Sequence, residues 1–148
     1  MTARPPSARG DPDSELCYRD VPAAPERLPP LRNALAEWAG TVGLDAEQVE
    51  VLMLASYEAL ANVVAHAYPD GSGVLDLEAR LLPEPTRVEV TVTDYGRWCP
   101  ESEQRRDLGG RGLILLRSLA EHAEVLTGGE GTTVRMSWTP AQDPVPEA

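Results

Sequence analysis

The apolar positions of the chain fall into runs with two different periods, and the breaks between runs fall at Pro and Gly. Residues 15–21 (ELCYRDV) alternate well enough to predict a short strand. Pro22, Pro25, Pro29 and Pro30 then punctuate a turn. A helix is expected to begin near Pro30, because proline is tolerated in a first helical turn. It places Leu31, Leu35 and Trp38 on one face, and Gly40 or Gly43 would end it. Asp45 is a suitable N-cap, and Gln48 sits three residues on, as in a capping box. From Ala46 to about Ala67 there is no Gly or Pro, and Ala, Leu, Glu and Met are frequent. This is the clearest predicted helix, stopped by Pro69 and the pair Asp70–Gly71.

The period then changes. Val74, Leu75, Leu77, Ala79, Leu81 and Leu82 predict a strand, and Pro83 and Pro85 a turn. Residues 87–93 (RVEVTVT) alternate cleanly, with Val88, Val90 and Val92 on one face, the mark of a half-buried strand. Residues 95–110 read as loop. Leu113 to about His122 predicts a third helix. Residues 123–127 and 132–138 predict two more strands joined at Gly128–Gly129. The order β α α β β α β β suggests an α+β fold, a two-layer sandwich with the helices on one face of the sheet.

Length and composition narrow this picture. The chain has 148 residues, enough for one domain with a real core. Residues 1–14 and 139–148, rich in Pro and poor in apolar side chains, are expected to be flexible tails around a domain at 15–138. Formal net charge is −11, which argues against nucleic acid or an anionic membrane as the main partner. All 13 basic residues are Arg; there is no Lys. That excludes chemistry built on a Walker-A, Schiff-base or protein-kinase strand lysine. Cys17 and Cys99 lack the spacing of a zinc site or disulfide scaffold. No apolar run is long enough to span a membrane and no signal-peptide core is visible, so a cytoplasmic protein is expected.

Four short segments carry candidate chemistry. On the long helix Glu58, Asn62 and His66 share one stripe at i, i+4, i+8, set among small and apolar neighbours. Taken alone, this reads as a solvent-facing polar stripe. Asp94-Tyr95-Gly96 closes the cleanest strand, where it reads either as a plain turn or as a ligand-facing strand end. Gly109-Gly110-Arg111-Gly112 opens a predicted helix, where glycines let backbone approach a ligand and the first N–H groups attract anions. Gly131-Thr132-Thr133-Val134 opens the last strand and alone signifies nothing.

In this order the four segments resemble the GHKL superfamily of ATP-binding proteins, and within it the RsbW-type anti-sigma-factor serine/threonine kinases. The E-x-x-x-N-x-x-x-H-A-Y signature stands as Glu58 to Tyr68, the D-x-G box as Asp94-Tyr95-Gly96, the G-x-G-L box as Gly110-Arg111-Gly112-Leu113 and the G-T-x-V box as Gly131 to Val134. The resemblance covers roughly residues 20–138. It implies a Bergerat-type sandwich on a mixed, mostly antiparallel sheet. It also implies bound ATP and Mg²⁺: Asn62 would ligate the metal, and Glu58 would orient or deprotonate the attacking hydroxyl. Asp94 would accept from the adenine amino group and Gly96 would leave room for the ring. Gly110, Gly112 and Leu113 would form the phosphate-wrapping lid, with Thr132 supporting the adenine side. Arg111 lies inside the phosphate box of a chain without Lys, which makes it the candidate to neutralise the γ-phosphate.

The implied function is that of a protein kinase that phosphorylates an antagonist, a STAS-type anti-anti-sigma protein, and sequesters a sigma factor. Such proteins are implied to dimerise. Leu28, Leu31 and Trp38 are the apolar residues available for a dimer surface. One departure keeps a second reading open. Trp98 stands where the family's adenine box carries its second glycine, which favours a partner-binding module with a weak or inactive nucleotide pocket. Glu58 with Asn62 favours the kinase.

Overall fold

Side-chain alternation builds the sheet, and the computed structural model describes residues 15–68, 72–83, 85–96, 113–128 and 130–141. Strands β1 (Glu15–Pro22), β2 (Val74–Leu82), β3 (Arg87–Asp94), β4 (His122–Gly128) and β5 (Gly131–Trp138) form one sheet in the order β1-β2-β3-β5-β4. Every pairing among the described residues is antiparallel, where the resemblance implies a mixed, mostly antiparallel sheet. Along β3 the even positions Val88, Val90, Val92 and Asp94 are buried, and the odd positions are half-buried. Leu75, Leu77 and Ala79 of β2 and Val134 and Met136 of β5 share the buried face by register.

Three helices cover that face. A 3₁₀ turn at Pro25–Arg27 leads into α1 (Leu28–Ala39), which starts two residues before Pro30 and takes Pro29 and Pro30 into its first turn. Leu28, Leu31, Leu35 and Trp38 are all core residues, with Leu35 fully buried. Burying each Leu contributes roughly 1.5–3 kcal/mol. The expectation that Leu28, Leu31 and Trp38 offer a dimer surface is therefore corrected: that stripe already packs against the rest of the domain.

Helix α2 (Ala46–Asn62) is capped as its sequence predicts. Asp45 Oδ1 accepts the Gln48 N–H at 2.8 Å, and Gln48 Oε1 accepts the Asp45 N–H at 3.1 Å. The same Gln48 side chain donates to the Thr139 carbonyl at 2.7 Å and accepts the Ala141 N–H at 2.9 Å. Residues 139–141, expected at the start of the C-terminal tail, thus lie along the beginning of α2. Residues 1–14 and 142–148 fall outside the described residues.

Two helix ends differ from expectation. The α-helical ladder of α2 stops at Asn62, and Val63–Ala67 continues as a π-turn. Widened turns of this kind recur at functional positions. Helix α3 (Leu113–Leu119) is shorter than expected, because His122 already begins β4 and pairs with Ser137. Among the described residues no helix is long and apolar enough to cross a membrane.

Candidate functional site

The described boxes meet at the end of the sheet where β3 finishes and β5 starts. Asp94 occupies the last inward position of β3, a place that the alternation gives to valine at the three preceding turns of the pleat. It is 1% exposed and lies opposite Thr132, which is 4% exposed. An isolated buried carboxylate is costly, so it must be oriented by partners. One partner is local: Asp94 Oδ1 accepts the Gly96 N–H at 3.0 Å, an Asx-type turn at the end of β3.

Close backbone approach joins the boxes. A Cβ at Gly96 would fall 2.0 Å from the Ala67 carbonyl oxygen, so only glycine lets this turn reach the π-turn that follows α2. At Gly131, φ is +140° and a Cβ would fall 2.0 Å from the Asp94 carbonyl oxygen. The signature on α2, the turn after β3 and the start of β5 are thereby pressed together. Glu58 and Asn62 are half-buried on α2, on the flank of the fully covered Ala55 and Ala59. His66 is half-buried within the π-turn, which breaks the regular i+4 step from Asn62 that a continuous α-helix would have given it.

A tyrosine pair frames the turn. The Tyr68 hydroxyl accepts the Tyr95 N–H at 2.8 Å and donates to the Val74 carbonyl at 2.5 Å. The Tyr95 hydroxyl donates to Asp76 Oδ2, and Asp76 Oδ1 accepts the Asp20 N–H at 2.9 Å. Arg19 stands 3.6 Å from the same carboxylate. Asp20 adopts φ +57° beside an irregularity in β1, which aims its N–H at Asp76. The hydrogen bond to Asp76, together with burial, pushes the Tyr95 phenol up to about 12. Burial also raises Tyr68. Both phenols stay protonated at neutral pH.

Among the expected site residues, then, Asp94, Gly96 and Thr132 are gathered at one place, and Glu58 and Asn62 lie on the helix whose end touches it. Gly110, Arg111, Gly112 and Trp98 lie outside the described residues, and Leu113 is placed only as the first residue of α3. Sequence reasoning missed Tyr68 as a structural hub, and missed Arg19, Asp76 and Tyr95 altogether. The signal available for Tyr68 was its place as the last residue of the α2 signature, just before Pro69.

The polar face of the sheet is organised differently. A cleft of about 700 Å³ opens there, lined by Arg87, Glu89, Arg117, Glu124 and Arg135 among others. It lies toward the opposite end of the β3–β5 pair from Asp94. Arg135 is already engaged at 2.9 Å by Glu124 and at 3.9 Å by Glu89. Exposed pairs of this kind each contribute about 0–1 kcal/mol.

The fold agrees with comparison to known proteins. The family model for the histidine kinase-like ATPase domain matches residues 21–138. The chain belongs to that family, in its GHKL, RsbW-like branch. It is 30% identical over 138 residues to the serine-protein kinase RsbW of Bacillus pumilus, covering 83% of this chain and 85% of that protein. To the serine-protein kinase RsbW of Bacillus subtilis it is 30% identical over 132 residues, covering 79% and 81%. Among solved structures, the RsbU and RsbW domains of Rv1364c from Mycobacterium tuberculosis share the fold, with a TM-score of 0.68 at 24% identity. That match covers 88% of this chain and 34% of the other, so this chain spans about a third of that longer protein. The described sheet and helix layer are the α+β sandwich of this family.

Proposed function

We propose that the chain is an ATP- and Mg²⁺-dependent serine/threonine protein kinase of the partner-switching kind. It phosphorylates a STAS-type anti-anti-sigma protein and, in the alternate complex, sequesters a sigma factor. The observation that carries this reading is the buried Asp94 carboxylate, oriented by Gly96 and set against Thr132 at the strand end. A buried acceptor at a strand end, beside a glycine turn, suits an adenine amino group, the role that the family resemblance implies for it. The names of the RsbW relatives support the kinase reaction.

The residues fit the implied cofactors. ATP supplies the transferable phosphoryl group, and Mg²⁺ the neutralising charge on its phosphates. Asn62 would offer its amide oxygen to the metal, a hard ligand suited to that ion. Glu58, one helical turn before Asn62, would orient the acceptor hydroxyl and take its proton. Thr132 would support the adenine side beside Asp94. Gly110, Gly112 and Leu113 would wrap the phosphates, and Arg111 would counter the γ-phosphate charge. A sigma-factor partner places this work in the cytoplasm. Dimerisation, if it accompanies the activity, uses a surface other than the buried stripe of α1.

A second reading rests on Trp98, the indole in place of the second glycine of the adenine box. It makes the chain a partner-binding module with a weak or inactive pocket. Calorimetric titration with ATP, with and without Mg²⁺, separates the two. The kinase reading expects micromolar, metal-dependent binding and transfer of labelled phosphate to a STAS-type antagonist. It also expects Glu58→Gln to bind ATP normally and transfer phosphate ~100-fold more slowly, the scale of a lost general base. No binding at millimolar ATP overturns the kinase reading in favour of the module.

A further inference from the structure

We propose that Tyr68 is a positioning residue for the nucleotide site: its hydroxyl latches the Asp94–Tyr95–Gly96 turn to the start of β2 and so fixes where the Asp94 carboxylate stands. The consequence for ATP rests on the reading above; the latch itself does not.

Three segments meet at this one ring. Tyr68 directly follows the π-turn that ends α2. Its hydroxyl accepts the Tyr95 N–H at 2.8 Å, on the peptide that joins Tyr95 to Asp94. The same hydroxyl donates to the Val74 carbonyl at 2.5 Å, at the first residue of β2. Its ring lies over Gly73, where a Cβ would fall 2.3 Å from the ring carbons, and beside Gly96, where a Cβ would fall 2.8 Å from Cε1. Glycine at both positions is what lets the ring sit there.

The two hydrogen bonds have different consequences. The bond to Val74 anchors the ring to a strand. The bond from Tyr95 then transfers that anchor to the peptide unit immediately after Asp94. Asp94 ends its strand, and beyond it the ladder with β2 stops at the pair Leu75–Asp94. Past that point the turn has no strand partner, and the Tyr68 hydroxyl supplies the missing acceptor. From the other side, the Tyr95 side chain is held by Asp76 and, through it, by the Asp20 N–H. The turn is clamped at its peptide and at its side chain, so the carboxylate between strand and clamp has little freedom. A preorganised acceptor binds its ligand without the cost of ordering it.

Tyr68→Phe keeps the ring and removes both hydrogen bonds. In that variant the Tyr95 amide is expected to exchange with solvent ~10-fold faster or more, the scale of one lost hydrogen bond. Core amides such as Val90 should keep their protection. The KM for ATP is expected to rise ~10-fold while kcat at saturation stays within about twofold, because adenine positioning and not phosphoryl transfer is loosened. Preference for ATP over GTP should shrink with it. Unchanged Tyr95 exchange in the variant overturns the latch. Faster exchange with an unchanged KM overturns the positioning role. Should the variant fail to fold, the wild-type protein still decides: rapid exchange of its Tyr95 amide overturns the latch. Wild-type protein that takes no ATP overturns the kinase reading and the positioning role, whereas Tyr95 exchange continues to report on the latch alone.

Discussion

Helices α1 and α2 lie on the same face of the sheet, pack against each other and bury different things. The apolar stripe of α1 is made of large side chains: Leu28, Leu31, Leu35 and Trp38. The stripe of α2 mixes Leu52 and Leu60 with Ala55, Ser56 and Ala59. Large side chains bury more area and hold a helix off the sheet; small ones give up area and let backbone come close. Closeness is what α2 needs. Its extension brings the Ala67 carbonyl so near the Gly96 turn that no side chain fits between them. Its flank carries Glu58 and Asn62 half-buried, and its regular ladder gives way to a π-turn. Helix α1 runs regularly to Ala39 with Gly40 as its C-cap, and its half-buried polar residue, Arg32, lies over the Tyr57 ring of α2. One helix is shaped mainly by packing large apolar side chains, and the other gives up part of that packing to bring backbone and polar groups close to the strand ends.

Substitutions can break this contrast or sharpen it. The largest expected effect is Asn62→Ala. It should abolish Mg²⁺-dependent ATP binding by calorimetry and leave the thermal unfolding midpoint within a few degrees, because Asn62 is only half-buried. Normal ATP affinity in that variant would remove Asn62 from the metal role and leave α2 no different in kind from α1. Next comes Leu35→Ala on α1, which should cost about 2–5 kcal/mol in urea unfolding, the range for deleting a buried Leu side chain. The protein that remains folded should bind ATP unchanged; a parallel loss of affinity would show that α1 also shapes the site. Smallest is Asp45→Ala, which removes the capping box at the far end of α2 and should cost about 1 kcal/mol. Nucleotide binding should not notice it, since the cap stands at the opposite end of the helix from Asn62.

Much of the fold was legible in the sequence wherever one local rule governs one element. Alternation marked β3 and separated Val88, Val90 and Val92 from their polar neighbours. Asp45 and Gln48 marked the start of α2, and both halves of the box are present. Local rules were weaker at ends and at surfaces. Periodicity identified the apolar face of α1 without saying what covers it, so Leu28, Leu31 and Trp38 read as free when they are core. Nothing in composition distinguishes an α-turn from a π-turn at Val63–Ala67, because the widening is imposed by what the helix end must touch. The four boxes were legible as a set through family resemblance. The Arg19–Asp76–Tyr95 contacts were not, since they join β1, β2 and the turn after β3, which are distant in the chain.

The sheet order β1-β2-β3-β5-β4 has a consequence for how the Asp94–Thr132 end of the sheet comes into being. Two of its pairings, β2–β3 and β4–β5, are hairpins whose partners are neighbours in the chain, and hairpins of that kind close on the microsecond scale. Asp94 belongs to the first hairpin and Thr132 to the second. The β3–β5 seam between them closes a much longer stretch of chain, an entropic toll that neither hairpin bears alone. The Asp94–Thr132 pair therefore has no existence in either half-molecule. It forms at the seam, and a nucleotide bound across Asp94 and Thr132 would act as a staple between the two hairpins.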